Sequence, residues 1–358
     1  MTNAAKKLSE AAGQVLVGGF SGTEIPSDFE TLIRAGQVGG AILFSRNLTG
    51  IDQCRDLVQA LRSIPAPSPL ILSVDQEGGQ VQRLRSPFPE LPPLRAFGAT
   101  GRTESAQAAG ELLADALRLI GFHQDFAPVL DVDSNPANPV IGDRSAGPDP
   151  ELVGRMGAAF IEGMQSRGVA ACGKHFPGHG DTDLDSHLAL PRLSHDKARL
   201  DKLELIPFRA AVKARVASMM TAHIVFSALD PDHPATLSTK VLHPLLREEL
   251  GYEGVIVSDD LEMKAVADHY GIEDAAVMAV AAGCDQLLIC HQPSLVERAH
   301  RALVDAVATG RLSADRLYEA SERIRRLKAT YVVDAPPPTE GPLADLLPSA
   351  DPVLAMLV

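Results

Sequence analysis

No basic run occurs anywhere in the chain, and 46 acidic residues against 33 Lys and Arg leave a formal charge of -13. A polyanionic partner needs a local basic patch to overcome such a field, so nucleic acid is not an expected ligand. No apolar stretch approaches the roughly 20 residues of a membrane-spanning helix, so no membrane partner is expected. The first twelve residues are polar and lack the basic start, apolar middle and small-residue cleavage site of a secretory signal. Cysteine is scarce, and Cys54, Cys172, Cys284 and Cys290 include no CxxC pair. Cys172, Cys284 and Cys290 fall in or beside apolar runs, which predicts buried free thiols in a reducing, cytoplasmic setting. The first apolar run continues as Val17-Gly18-Gly19-Phe20-Ser21-Gly22, without the glycine spacing of a dinucleotide-binding turn. No low-complexity linker or long repeat divides the chain.

What the sequence does contain is a regular alternation. Apolar, strand-like runs cover 15–20, 40–44, 70–75, 122–130, 169–175, 217–225, 254–258 and 284–289. Amphipathic helical stretches separate them at 27–35, 51–64, 104–120, 150–167, 195–215 and 239–250. Others cover 261–269 and 274–282, and two more, 295–309 and 314–332, follow the last strand. The strands are continuously apolar rather than alternating, as in a parallel sheet covered by helices. Eight such units predict an α/β fold, a single (β/α)8 TIM-type barrel, over 1–333. A Pro-rich tail over 334–358, opening Asp334-Ala335-Pro336-Pro337-Pro338, is expected to lie extended on the barrel surface or loosely ordered.

In such a barrel the C-terminal strand ends converge on one site. Six of the eight strands carry an ionisable group there: Asp75, Asp131, Lys174 with His175, His223, Asp259 with Asp260, and His291. The richest segment follows the fifth strand and reads Lys174-His175-Phe176-Pro177-Gly178-His179-Gly180-Asp181-Thr182-Asp183-Leu184-Asp185-Ser186-His187. A glycine-punctuated loop this dense in titratable groups reads as an active-site loop. Asp259, after the run Gly254-Val255-Ile256-Val257-Ser258, could serve as nucleophile, base or metal ligand, with Asp260 free to cap the next turn. Lys174 at a strand end could bind substrate or act as a Schiff-base nucleophile.

The loop resembles the acid/base loop of the glycoside hydrolase family 3 β-N-acetylglucosaminidases, the NagZ type. The segments Asp75 to Arg83 and Gly251 to Met263 are similar to two further motifs of that family, and the resemblance runs from about Leu8 to Leu327. It implies a retaining exo-β-N-acetylglucosaminidase that removes non-reducing-end β-linked GlcNAc, with muropeptide fragments in the cytoplasm as substrate and with no cofactor or metal. It further implies Asp259 as the nucleophile. Most retaining glycosidases pair the nucleophile with a second carboxyl about 5–5.5 Å away. The NagZ type instead uses a His–Asp pair, which falls on His187 and Asp185. Imidazole suits both halves of that task because it titrates near neutrality. Asp75, Arg83, Arg144, Lys174 and His175 match the residues that hold the sugar. Ala146 stands where the family has an aromatic residue, which leaves the fine shape of the pocket open. A carbohydrate substrate and a monomer are expected. The competing readings are a Schiff-base lyase using Lys174 and a family 3 glycosidase of other sugar specificity. His179 is the rival acid in the loop, read here as a turn residue bonding backbone.

Overall fold

The computed structural model describes residues 2–186, 188–332 and 342–358. Eight strands pair in parallel and close on themselves: β1 Leu16–Gly18, β2 Gly40–Leu43, β3 Ile71–Val74, β4 Gln124–Asp125, β5 Ala170–Phe176, β6 Ser218–Thr221, β7 Val255–Asp260 and β8 Gln286–Ile289. β1 pairs with both β2 and β8, which completes the barrel. The predicted strands are all present, several of them shorter than the apolar runs that announce them. The largest difference is in the fourth run, where regular pairing covers only Gln124–Asp125. Pro128 has no N–H to donate there. Pairing continues irregularly, with Lys174 N–H donating to the Pro128 carbonyl and Leu130 N–H to the Lys174 carbonyl.

Helices wrap the barrel because each carries one apolar stripe that only the sheet or another helix can cover. In chain order they are α1 Asn3–Gln14, α2 Ser27–Arg34, α3 Ile51–Ser63, α4 Leu94–Thr100, α5 Thr103–Ile120, α6 Pro150–Ser166, α7 Lys197–Lys202 and α8 Leu205–Lys213. A π-helical stretch, Leu242–Glu249, stands where 239–250 was expected to form an ordinary helix. It is followed by α9 Lys264–Ala267, α10 Ile272–Ala282, α11 Pro293–Ala308 and α12 Ala314–Tyr331. The expected helix over 195–215 is two pieces, with Pro207 in the first turn of the second, where its missing N–H does least harm. Asp149 caps α6 by accepting the Glu151 N–H ahead of Pro150.

The barrel interior is packed by Val17, Ile42, Ile71, Phe126, Val257 and Leu288, with Ile324 and Leu327 of α12 closing its lower end. Between these layers the Gln124 amide donates to Ser218 Oγ (3.0 Å) and to Gln286 Oε1 (3.3 Å), so the buried polar groups satisfy one another. All four cysteines are buried and free. Part of the Pro-rich tail, 333–341, lies outside the described residues. Residues 342–358 do not lie extended: they form short helical turns against the barrel helices, anchored by buried Leu343 and Val353. Among the described residues no helix is long and apolar enough to cross a membrane.

Candidate active site

The upper ends of the strands open on a cavity of about 490 Å³. Asp75 enters it directly after β3. The chain then turns back in a hairpin, Gln76–Gly78 against Val81–Gln82, through Gly78 and Gly79 at φ 99° and 59°. Those left-handed conformations favour glycine, and the tight reversal returns Arg83 beside Asp75. β5 delivers Lys174 and His175, and β7 delivers Asp259 and Asp260. Asp75, Arg83, Arg144, Lys174, His175 and Asp259 all line this cavity. Ala146 is buried against the backbone of Gly98 and is not part of the cavity wall.

The cations of the site are tightly held. Lys174, 3% exposed, donates to Asp75 Oδ1 at 3.0 Å and lies 2.6 Å from Glu77 Oε1. Arg144 grips Glu77 through two bonds of 2.9 Å. Arg83 reaches Asp75 at 3.4 Å, and its buried Nε–H has no partner among the described residues. Burial works against a charge on Lys174, but Asp75 and Glu77 outweigh it and raise the ammonium above its ordinary pKa. Burial likewise opposes ionisation of Glu77, yet Arg144 and Lys174 hold its carboxyl far below the usual range. A Schiff-base nucleophile must be an uncharged amine, and this setting keeps Lys174 protonated. The geometry therefore disfavours the lyase reading.

Asp131, fully buried, organises the base of the loop. Its carboxylate meets His175 Nδ1 at 2.7 Å and accepts the backbone N–H groups of His175 and His179. Gly180 packs so closely on the chain after β4 that a Cβ would lie 1.7 Å from the Val132 carbonyl oxygen. The His179 ring spans the loop, with Nδ1 at 3.0 Å from Thr182 Oγ1 and Nε2 at 3.0 Å from Ser186 Oγ. Its N–H bonds a carboxylate and its ring bonds hydroxyls, where the sequence suggested a turn residue bonding backbone. Burial and the neighbouring His175 push its pKa down to about 4. Ser186 lines the cavity, and its carbonyl accepts the Ala265 N–H from α9. Asp185, partly buried, stands beside it. The predicted acid/base residue His187 lies outside the described residues.

One strand-end residue acts differently from the sequence expectation. His223 does not line the cavity: it is fully buried, 3.0 Å from the Asp260 carbonyl and 2.8 Å from Thr236 Oγ1. Asp260 caps the turn after β7, as expected, by accepting the Glu262 N–H, and it also accepts the Cys290 N–H; it lines the cavity beside Asp259. His291 sits at the mouth, 3.4 Å from Asp260 and stacked on Phe44 at 6.0 Å. Glu77 falls within the segment Asp75 to Arg83, but no role of its own was read from the sequence. The two-residue period of a strand was the available signal, since it turns residues 75 and 77 to the same side.

Comparison with known proteins gives one consistent family. The glycosyl hydrolase family 3 N terminal domain matches residues 7–327. A β-hexosaminidase of Alkalilimnicola ehrlichii is 42% identical over 296 residues, 81% of this chain and 84% of that protein. One from Thiobacillus denitrificans is 40% identical over 305 residues, covering 83% and 84%. Among solved structures, a glycoside hydrolase family 3 β-N-acetylglucosaminidase from Paenibacillus superposes with a TM-score of 0.93 at 44% identity, over 98% of this chain and 67% of that one. NagZ from Neisseria gonorrhoeae superposes with a TM-score of 0.79 at 30% identity, over 96% of each chain.

Proposed function

The chain belongs to glycosyl hydrolase family 3 as a β-N-acetylhexosaminidase of the NagZ type, and from that premise we propose that it is a retaining, exo-acting β-N-acetylglucosaminidase. The observation that carries this reading is that Asp259 lines the same cavity as Asp75, Arg83, Arg144, Lys174 and His175. A carboxylate, two guanidiniums and an ammonium around one small pocket suit the hydroxyls of a single terminal sugar. A structure of the gonococcal NagZ holds N-trifluoroacetyl-D-glucosamine, a compound of the proposed kind.

In the proposed reaction an Asp259 carboxylate oxygen attacks the anomeric carbon as the bond to the leaving oxygen breaks. His187 in its protonated form gives that oxygen a proton. The glycosyl ester on Asp259 is then hydrolysed by water, whose proton returns to His187, and the carboxylate is released. Asp185 orients the His187 ring and stabilises its charged form. Asp75, Arg83, Arg144, Lys174 and His175 bind the sugar. The proposed natural substrates are peptidoglycan-derived muropeptides, turned over in the cytoplasm by a monomer whose catalytic unit is 1–333, followed by the tail 334–358.

The test compares 4-nitrophenyl β-GlcNAc, β-glucoside and β-xyloside, followed by trapping with a 5-fluoro β-GlcNAc donor. The β-GlcNAc substrate should be preferred, and the adduct should map to the peptide bearing Asp259. Asp259→Ala should lose on the order of 10³-fold or more in kcat. An adduct on Asp260, or near-normal turnover by Asp259→Ala, would overturn the nucleophile assignment. A preference for another sugar would overturn the substrate.

A further inference from the structure

We propose that Glu77 is the positioning residue of the sugar pocket, the shared anchor that fixes both Lys174 and Arg144 in the orientation in which they meet the substrate. The inference rests on the sugar-binding reading of those two cations and deepens it. Glu77 lines the cavity, but both of its oxygens are committed to protein cations. Its Oε1 accepts from both cations, at 2.6 Å from Lys174 and 2.9 Å from Arg144, and its Oε2 takes the second Arg144 bond at 2.9 Å. The side chain is only 6% exposed. A bidentate guanidinium pair has one coplanar geometry, so Glu77 sets the plane of Arg144 as well as its place.

Lys174 is fixed by two carboxylates, Asp75 and Glu77. An ammonium has three N–H groups, so two held N–H groups aim the third. Glu77 and Asp75 come from the same short stretch after β3, while Lys174 comes from β5 and Arg144 from the loop near α6. One carboxylate thus locks together chain segments 67 and 97 residues away in sequence. Removing it would leave Lys174 with Asp75, and Arg144 with only the more distant Asp131 and Asp75, which favours rotation of either side chain and loss of charge from the lysine. The other charged or titratable groups near Lys174 are Asp125 of β4 and Cys172 of β5. Burial pushes both toward the uncharged form, so neither replaces the missing carboxylate.

The test is steady-state kinetics of the full chain with an aryl β-GlcNAc from pH 5 to 10, together with calorimetric titration of GlcNAc. Glu77→Gln keeps the volume and removes the charge. It should lower kcat/KM on the order of 10²-fold, chiefly through KM, and weaken GlcNAc binding to match. Glu77→Asp keeps the charge and should recover part of the loss while keeping a raised KM, since its carboxylate is one methylene short. If Glu77→Gln fails to fold, Glu77→Asp carries the test through its raised KM. Normal KM and undiminished GlcNAc binding in the folded variants would overturn the proposal, as would a loss confined to thermal stability. A wild-type chain that cleaves another glycoside, with that activity sensitive to Glu77, would remove the GlcNAc reading and leave the positioning role. A wild-type chain that neither cleaves nor binds would remove both.

Discussion

Two histidines compete for the proton-transfer role in one loop, and the surroundings of His179 argue against it. Its ring is spanned by the hydroxyls of Thr182 and Ser186, and burial holds its pKa down to about 4. An imidazole uncharged across neutral pH cannot protonate a leaving oxygen there. His179→Ala should therefore leave the shape of the kcat/KM profile above pH 5 unchanged. It should also leave the dependence on leaving-group acidity unchanged. His187→Ala should spare the first step with a dinitrophenyl glycoside, stall the second, and regain it with added azide. Azide rescue in His179→Ala and none in His187→Ala would exchange the two roles. The same pKa makes His179 a stability element. Folded, it takes a proton only near 4; unfolded, near its ordinary 6.5. Falling pH across that window favours the unfolded chain, so His179→Ala should flatten the loss of stability between pH 6.5 and 4. None of this was visible in the sequence, because a histidine between two glycines does not reveal which hydroxyls its ring will meet.

The strands were legible because apolar runs bounded by glycine and polar residues have few alternatives in a parallel sheet, and Val255 to Asp260 forms as its sequence suggests. Element ends were less legible. The fourth run stops pairing regularly after Asp125, and the π-helical stretch Leu242–Glu249 has no evident sequence signal. Least visible was the basic residue inside α12. Lys328 is 3% exposed and donates to Gln14 Oε1 at the end of α1, and burial lowers its pKa to about 7. On the helix alone it reads as one more surface charge. A lysine that titrates near 7 when folded and near 10.5 when unfolded binds its proton more tightly in the unfolded chain. Between those values stability rises with pH, and the cost is complete below 7. Lys328→Met removes that cost and retains the apolar stem. Its midpoint of thermal unfolding should exceed wild type at pH 6.5, by the equivalent of about 1–3 kcal/mol, and the gap should close toward pH 10. A variant less stable than wild type at pH 6.5 would mean that the bond to Gln14 outweighs the burial of the charge.

At the scale of the molecule, the barrel positions the site from above, and the described part of the tail touches only the outside. Leu343 is fully buried, its N–H reaches Asp52 of α3, and Val353 is 6% exposed beside α5. Arg102, just ahead of α5, donates to the Val358 carbonyl at 3.4 Å and more closely to that of Met356. The run of prolines lies outside the described residues, and composition could not foretell that two apolar residues beyond it would be buried against α3 and α5. None of the residues 342–358 lines the candidate cavity. Stability and catalysis should therefore separate in a chain truncated after Val332. Two buried aliphatic side chains contribute about 3–5 kcal/mol before the entropy of ordering the segment is subtracted. Losing them should lower the unfolding midpoint by several degrees, with kcat and KM of the folded fraction unchanged at 25 °C. A truncated chain that melts with wild type would show the docking to be energetically neutral. One that melts lower and also loses kcat in the folded state would show that the tail supports the loops of the upper face through α4 and α5.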